Sequence, residues 1–122
     1  MSRQSGKHFE KLAADFLKNK GLKLLQQNFH AYRGEIDLVM RDADILVFIE
    51  VKFRKNAAFG SAAETVTFKK QQHLILAAQH YLQLHRQHAN LACRFDVIAI
   101  SGTHTGKSDP KIDWIKNAFL IT

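Results

Sequence analysis

The segment GEIDLVMRDADILVFIEVKFR, residues 34–54, holds two runs of β-branched and large apolar residues around the polar tetrad RDAD. Two such runs about a short polar break predict an antiparallel hairpin, and the rest of the chain must pack around it. With the turn taken as Arg41 to Asp44, the strands cover residues 35–40 and 45–54. Asp37 then faces Phe48, and Glu35 faces Glu50. Side chains alternate between the two faces of a strand. One face carries Ile36, Leu38, Met40, Ile45, Val47, Ile49, Val51 and Phe53, all apolar. The other carries Val39, Leu46 and Phe48, then Glu35, Asp37, Glu50, Lys52 and Arg54 at its outer end. Asp37 and Glu50 become diagonal neighbours, about 7–8 Å apart at Cα.

The remaining elements follow from period and punctuation. Residues 4–20 predict a helix with Phe9, Leu12, Ala13, Phe16 and Leu17 on one face and Gly21 as its stop. At about 100° per residue, Glu10 falls inside that apolar arc. Residues 22–29 predict a short strand, HAYRG a turn, and residues 55–66 a loop. Thr67 is placed as the N-cap of a long helix reaching about His88, with Leu74, Ala78, Tyr81, Leu82 and His85 on its buried stripe. CRFDVIAI, residues 93–100, predicts a strand, SGTHTGKSDP a mobile loop, and DWIKNAFL a short amphipathic element of undecided type. The order α-β-β-β-α-β predicts an α/β domain spanning 1–122, a small mixed sheet flanked by helices. A chain of 122 residues has room for one modest core. No apolar run approaches a membrane span and no signal-peptide core opens the chain, so the expected location is the cytoplasm. The lone Cys93 can form no internal disulfide and is expected to be a buried, inert thiol.

The acids at the end of the hairpin need a cation. Three carboxylates this close repel one another unless positive charge stands among them. Lys52 can neutralise one, and a divalent cation the others. Oxygen donors without cysteine suit Mg²⁺ or Mn²⁺. Glu10, facing inward from the first helix, completes the set. Such an ion polarises a phosphoryl oxygen, and an adjacent ammonium stabilises charge growing on a phosphate. These are the parts of metal-assisted phosphodiester hydrolysis.

Asp37 on one strand and Glu50-Val51-Lys52 on the next resemble the D…(D/E)-x-K motif of the restriction-endonuclease-like superfamily. The wider pattern is more specific. Glu10 in an early helix, GEIDL at 34–38, IEVKFR at 49–54, FG at 59–60, Lys69 in the second helix and RFDV at 94–97 resemble the YraN-like family of small bacterial proteins. The resemblance covers nearly the whole chain. It implies a restriction-endonuclease-like core near the archaeal Holliday-junction resolvases, metal-binding roles for Glu10, Asp37 and Glu50, and a catalytic role for Lys52 beside Asp37 and Glu50. Ile36 stands where a Pro often precedes the first Asp of the superfamily motif, a position that holds no ligand. The Q-x-x-x-Y signature of RecB-type nucleases is absent, since Gln79 and Tyr81 are too close.

Each assignment has a plainer counterpart. Asp37, Glu50 and Lys52 can form cross-strand ion pairs on a solvated face, and Glu10 can serve the helix dipole. Glu35 is either a supporting acid behind the ligands or a partner for Arg33 or Arg54. Asp96, in an apolar strand, is expected to make a structural hydrogen bond or a salt bridge to a basic neighbour rather than to bind metal. His80, His85 and His88 have no carboxylate on their helix to complete a metal set. Arg54, Lys55, Lys69 and Lys70 are candidate phosphate contacts beside the site, or a solvated basic face. The net charge of +7 suits a polyanionic partner, with DNA expected over RNA and no membrane. Two functions remain: a Mg²⁺- or Mn²⁺-dependent nuclease on branched or structured DNA, and a non-cleaving nucleic-acid-binding module. So small a chain is expected to act as a homodimer or with a partner protein.

Overall fold

The computed structural model describes residues 3–54, 66–102 and 110–119. Helix α1 (Arg3–Asn19) is followed by strands β1 (Lys23–Ala31), β2 (Gly34–Asp42) and β3 (Ile45–Arg54). Helix α2 (Phe68–Leu84), a 3₁₀ turn (Arg86–His88), β4 (Ala92–Ser101) and β5 (Lys111–Phe119) complete the order. The strands form one mixed sheet in the order β1-β2-β3-β4-β5. Only β3 and β4 run parallel, in register from Ile45↔Ala92 to Arg54↔Ser101. This is the small α/β arrangement expected, a restriction-endonuclease-like core, with β5 added at the edge. No helix among the described residues is long and apolar enough to cross a membrane.

The helices cover opposite faces of the sheet. Under α1 lie Phe9, Ala13 and Leu17 with Leu38, Val47 and Ile49. Under α2 lie Leu74 and Tyr81 with Val39, Leu46, Phe48 and Phe95. Both helices start or stop as their sequences direct. Leu22 N–H donates to Leu17 O at 3.0 Å while Gly21 takes φ 98°, which closes α1. The Thr67 hydroxyl accepts from Lys70 N–H at 3.1 Å, which caps α2. Helix α2 stops at Leu84, short of His88, because the backbone leaves the helix at His85 (φ −123°, ψ 69°).

The hairpin register differs from the expectation by two residues. The turn is Ala43–Asp44 alone, with Ala43 at φ 53° and its carbonyl held by Arg41 Nε at 2.7 Å. Phe48 therefore pairs with Val39, not Asp37, and Glu35 is not opposite Glu50. A slip of two leaves every side chain on its face, so the sorting of β3 survives. Ile36 does not follow β2's alternation. It packs with Phe29 under α2, while Leu38 goes under α1. Asn28, at φ 51°, and Asp37 fall between the pairs Gln27↔Leu38 and Phe29↔Ile36, and there the ribbon turns over.

The undecided C-terminal segment is the edge strand β5. Its pairing with β4 is interrupted between Phe95 and Val97, with Asn117 at φ 53°. Asp96 accepts from Asn117 N–H at 2.9 Å and from Trp114 Nε1 at 2.9 Å, and it pairs with Arg94 Nε at 3.1 Å. Asp96 is thus the structural carboxylate expected, holding a bulge closed.

Gly34 fixes the other end of the β1–β2 hairpin against α2. A Cβ there would lie 2.6 Å from the His73 carbonyl oxygen, a backbone atom that cannot swing aside. Gly34→Ala is expected to lower unfolding stability by about 1–3 kcal/mol, read as a lower urea midpoint. An unchanged midpoint would mean that α2 yields freely at this contact.

Candidate metal centre and its lysines

The site lies where the β2–β3 ladder opens. The last pair is Leu38↔Ile49, and beyond it Asp37 Oδ2 accepts the Val51 N–H at 2.8 Å. A side chain thus replaces the ladder's next backbone acceptor. Asp37 is pushed up to about 8, first by burial and then by the charge on Glu50. The Val51 hydrogen bond opposes this, and Glu10 and Glu35 add to it. Glu10, eighth in α1 and outside its first turn, is not a helix-dipole residue. Burial raises its pKa, the Asn28 side chain opposes this by hydrogen bonding, and the charges of Glu35 and Glu50 raise it further. Four carboxylates from α1, β2 and β3 therefore share one field.

Glu50 is 5% exposed. Its Oε1 lies 3.4 Å from Lys52 Nζ and 3.5 Å from Lys70 Nζ. Both contacts are looser than the about 2.7–2.9 Å of a tight charge-assisted hydrogen bond. Its Oε2 is buried with no hydrogen-bond partner, as is Oε1 of Glu10. An unsatisfied buried carboxylate oxygen is costly, which makes these two atoms unfinished as acceptors. As the side chains stand, no three His, Cys, Asp or Glu residues among the described ones form a metal-holding group. The donor chemistry nevertheless fits a hard divalent cation, with Glu10, Asp37 and Glu50 offering oxygen alone.

Two hollows flank these acids. A groove of about 530 Å³ between α1 and β1 is lined by Glu10, Lys7, Lys11, Lys18 and Asn28. A cavity of about 300 Å³ between the hairpin tip and α2 is lined by Glu35, Gly34, Lys70 and His73.

The structure thus brings together Glu10, Asp37, Glu50 and Lys52. Lys70, read from sequence as a phosphate contact, is drawn to Glu50. Lys69 is exposed. The side chain of Arg54 and the whole of Lys55 lie outside the described residues, as do most of the loop 55–66 and the loop at 103–109. Glu35 pairs with His30 Nδ1 at 3.2 Å, and among the described residues no ion pair joins it to Arg33. Asn28 was missed. An asparagine inside QQNF is a signal for left-handed backbone, although not for a hydrogen bond to Glu10. Cys93 is half-buried and burial pushes its thiol up, away from reactivity. His85 Nδ1 lies 3.0 Å from Tyr81 O and its ring stacks on Tyr81, so it serves the helix end.

The chain is 48% identical to a UPF0102 protein of Pseudomonas syringae pv. syringae over 95% of this chain and 93% of that protein. It is 51% identical to one of Chromohalobacter salexigens, over 97% and 92%. The match to the family itself runs from residue 9 to residue 100. That span opens one residue before Glu10 and includes Asp37, Glu50, Lys52, Lys70 and Asp96, so the acids, the lysines and strands β1 to β3 come within it. The chain belongs to the uncharacterised protein family UPF0102.

Proposed function

We propose that the protein is a metal-dependent nuclease that hydrolyses phosphodiester bonds of DNA, with Mg²⁺ or Mn²⁺ as its cofactor. The observation that carries this reading is the pair of buried, unpartnered oxygens, Glu10 Oε1 and Glu50 Oε2, beside an Asp37 carboxyl pushed up to about 8. Natural folds seldom leave like charges buried together without a use for a cation. Glu10, Asp37 and Glu50 would hold the ion. When bound it would polarise the phosphoryl oxygen and activate a water.

The chain's own groups have separable tasks. Val51 N–H fixes the Asp37 carboxylate, and Asn28 fixes that of Glu10. Lys52, on the same strand face as Glu50, presents an ammonium to the phosphate and stabilises its developing charge. Lys70 neutralises Glu50 from α2. The +7 charge supports a polyanionic substrate held with little sequence preference. One observation favours the second reading, a non-cleaving nucleic-acid-binding module: both lysines already stand on Glu50 Oε1.

A cleavage screen separates the two. Single-stranded, duplex, flap and four-way DNA are incubated in Mg²⁺, Mn²⁺ or chelator. Cutting in metal, absent in chelator and absent for Glu50→Gln, is expected. Binding that weakens tenfold or more between about 50 and 200 mM salt, with no cutting of any substrate, would favour the module.

A further inference from the structure

The tip of the β1–β2 hairpin carries side chains that neither core nor site employs. Tyr32 and Arg33 alone separate Ala31 from Gly34, which pair as the last rung of the ladder. Tyr32 is 92% exposed, the most exposed large hydrophobic among the described residues. The Arg33 guanidinium carbon stands 5.7 Å from the centre of its ring. A two-residue turn gives the ring no surface to fold back on, and the turn itself is held. Gly34 abuts the His73 backbone, and His30 pairs with Glu35 across the two strands. The ring is therefore carried on a fixed arm. That arm borders the cavity walled by Glu35 and Lys70, and Lys70 Nζ is 3.5 Å from Glu50.

We propose that Tyr32 and Arg33 form a wedge that engages nucleic acid at an unpaired base. The phenol ring stacks on the base and the guanidinium meets the adjoining phosphate. Every base has a π-face, so such stacking ignores sequence, in keeping with recognition by charge. A fully paired duplex hides those faces within its stack and offers the ring nothing. The substrate class is therefore a duplex with unpaired nucleotides beside it, such as a flap, a fork or an opened junction. This rests on the reading that the neighbouring carboxylates act on phosphodiesters, and it names the part of the substrate that brings the bond to them.

The test is equilibrium binding in chelator, where nothing is cut. One probe is a blunt, fully paired DNA hairpin. The other is the same hairpin with a single-stranded arm whose first unpaired base is 2-aminopurine. The wild-type protein is expected to bind the armed probe about tenfold tighter and to quench the 2-aminopurine. Tyr32→Ala should lose both effects and Tyr32→Phe should keep both. With the ring so exposed, neither change should move the thermal midpoint. The inference is overturned if Tyr32→Ala retains the preference and the quench. It is equally overturned if the variant binds as wild type but loses self-association in sedimentation, which would make the tip a protein contact. If the wild type binds both probes equally yet cleaves DNA in metal, the wedge falls and the nuclease reading stands. If it binds neither probe, the wedge falls, and the nuclease reading falls with it if no DNA is cut in metal.

Discussion

In chelator at pH 9, Asp37→Asn is expected to unfold at a higher temperature than the wild-type protein. Asp37 is raised from 3.8 to about 8 in the folded state. Its contribution to stability is then fully present below about pH 4, where it is protonated in both states. It is lost as pH rises through about 8, where the folded protein must hold the charge beside Glu50. Glu10, raised as well, acts in the same direction. Asparagine mimics the protonated carboxyl and still accepts the Val51 N–H, so the variant keeps the hydrogen bond without the repulsion. The relief is on the order of a few kcal/mol. Asp37→Ala would not show it, because Val51 N–H would lose its acceptor. Glu50→Gln should gain less, since it also removes the anion shared by Lys52 and Lys70. In millimolar Mg²⁺ or Mn²⁺ the variants' advantage should shrink or vanish. The wild type gains about 2.7 kcal/mol at a hundredfold excess over the dissociation constant, and both variants lose most of that gain. Thermal melts of the three proteins, with and without metal, check this. Variants that melt well below wild type in chelator, with no response to metal in any of them, would make the acids ordinary ion-pair members.

Lys52→Ala is expected to reduce cleavage by about 10² or more while leaving DNA affinity nearly unchanged. One lysine among 18 basic residues contributes little to grip. Lys70 remains on Glu50 in the variant, so the fold keeps a counter-charge there. Single-turnover rates beside equilibrium binding give both numbers. Full activity in the variant would remove Lys52 from the chemistry.

The two helices, the hairpin and the carboxylates of β2 and β3 were legible because each announces itself by period or by charge at apolar positions. The register was not. RDAD contains no Gly or Asn to mark a left-handed residue, yet Ala43 takes that conformation, with its carbonyl held by Arg41. Strict alternation misplaced Ile36, since the local turn-over at Asn28 and Asp37 leaves no mark in a pattern of apolar letters. DWIKNAF hid a strand for a related reason. The bulge at Asn117 breaks its period, and the group that satisfies the bulge, Asp96, lies on another strand. The pull of Glu50 on Lys70 was equally hidden, because it depends on how α2 crosses the sheet.

That turn-over also gives the carboxylates their unusual mounting. Glu10 stands on α1, Lys70 on α2, and Glu50 and Asp37 on the sheet between them. Their spacing is therefore set by the thickness of the sheet and the seating of two separate oily layers, much as a rivet hole is set by the plates it passes through. A ligand gripping Glu10 and Glu50 together would fasten one layer to the other. Slack introduced deep in either layer would appear first as misalignment at the seam, before the molecule as a whole came loose.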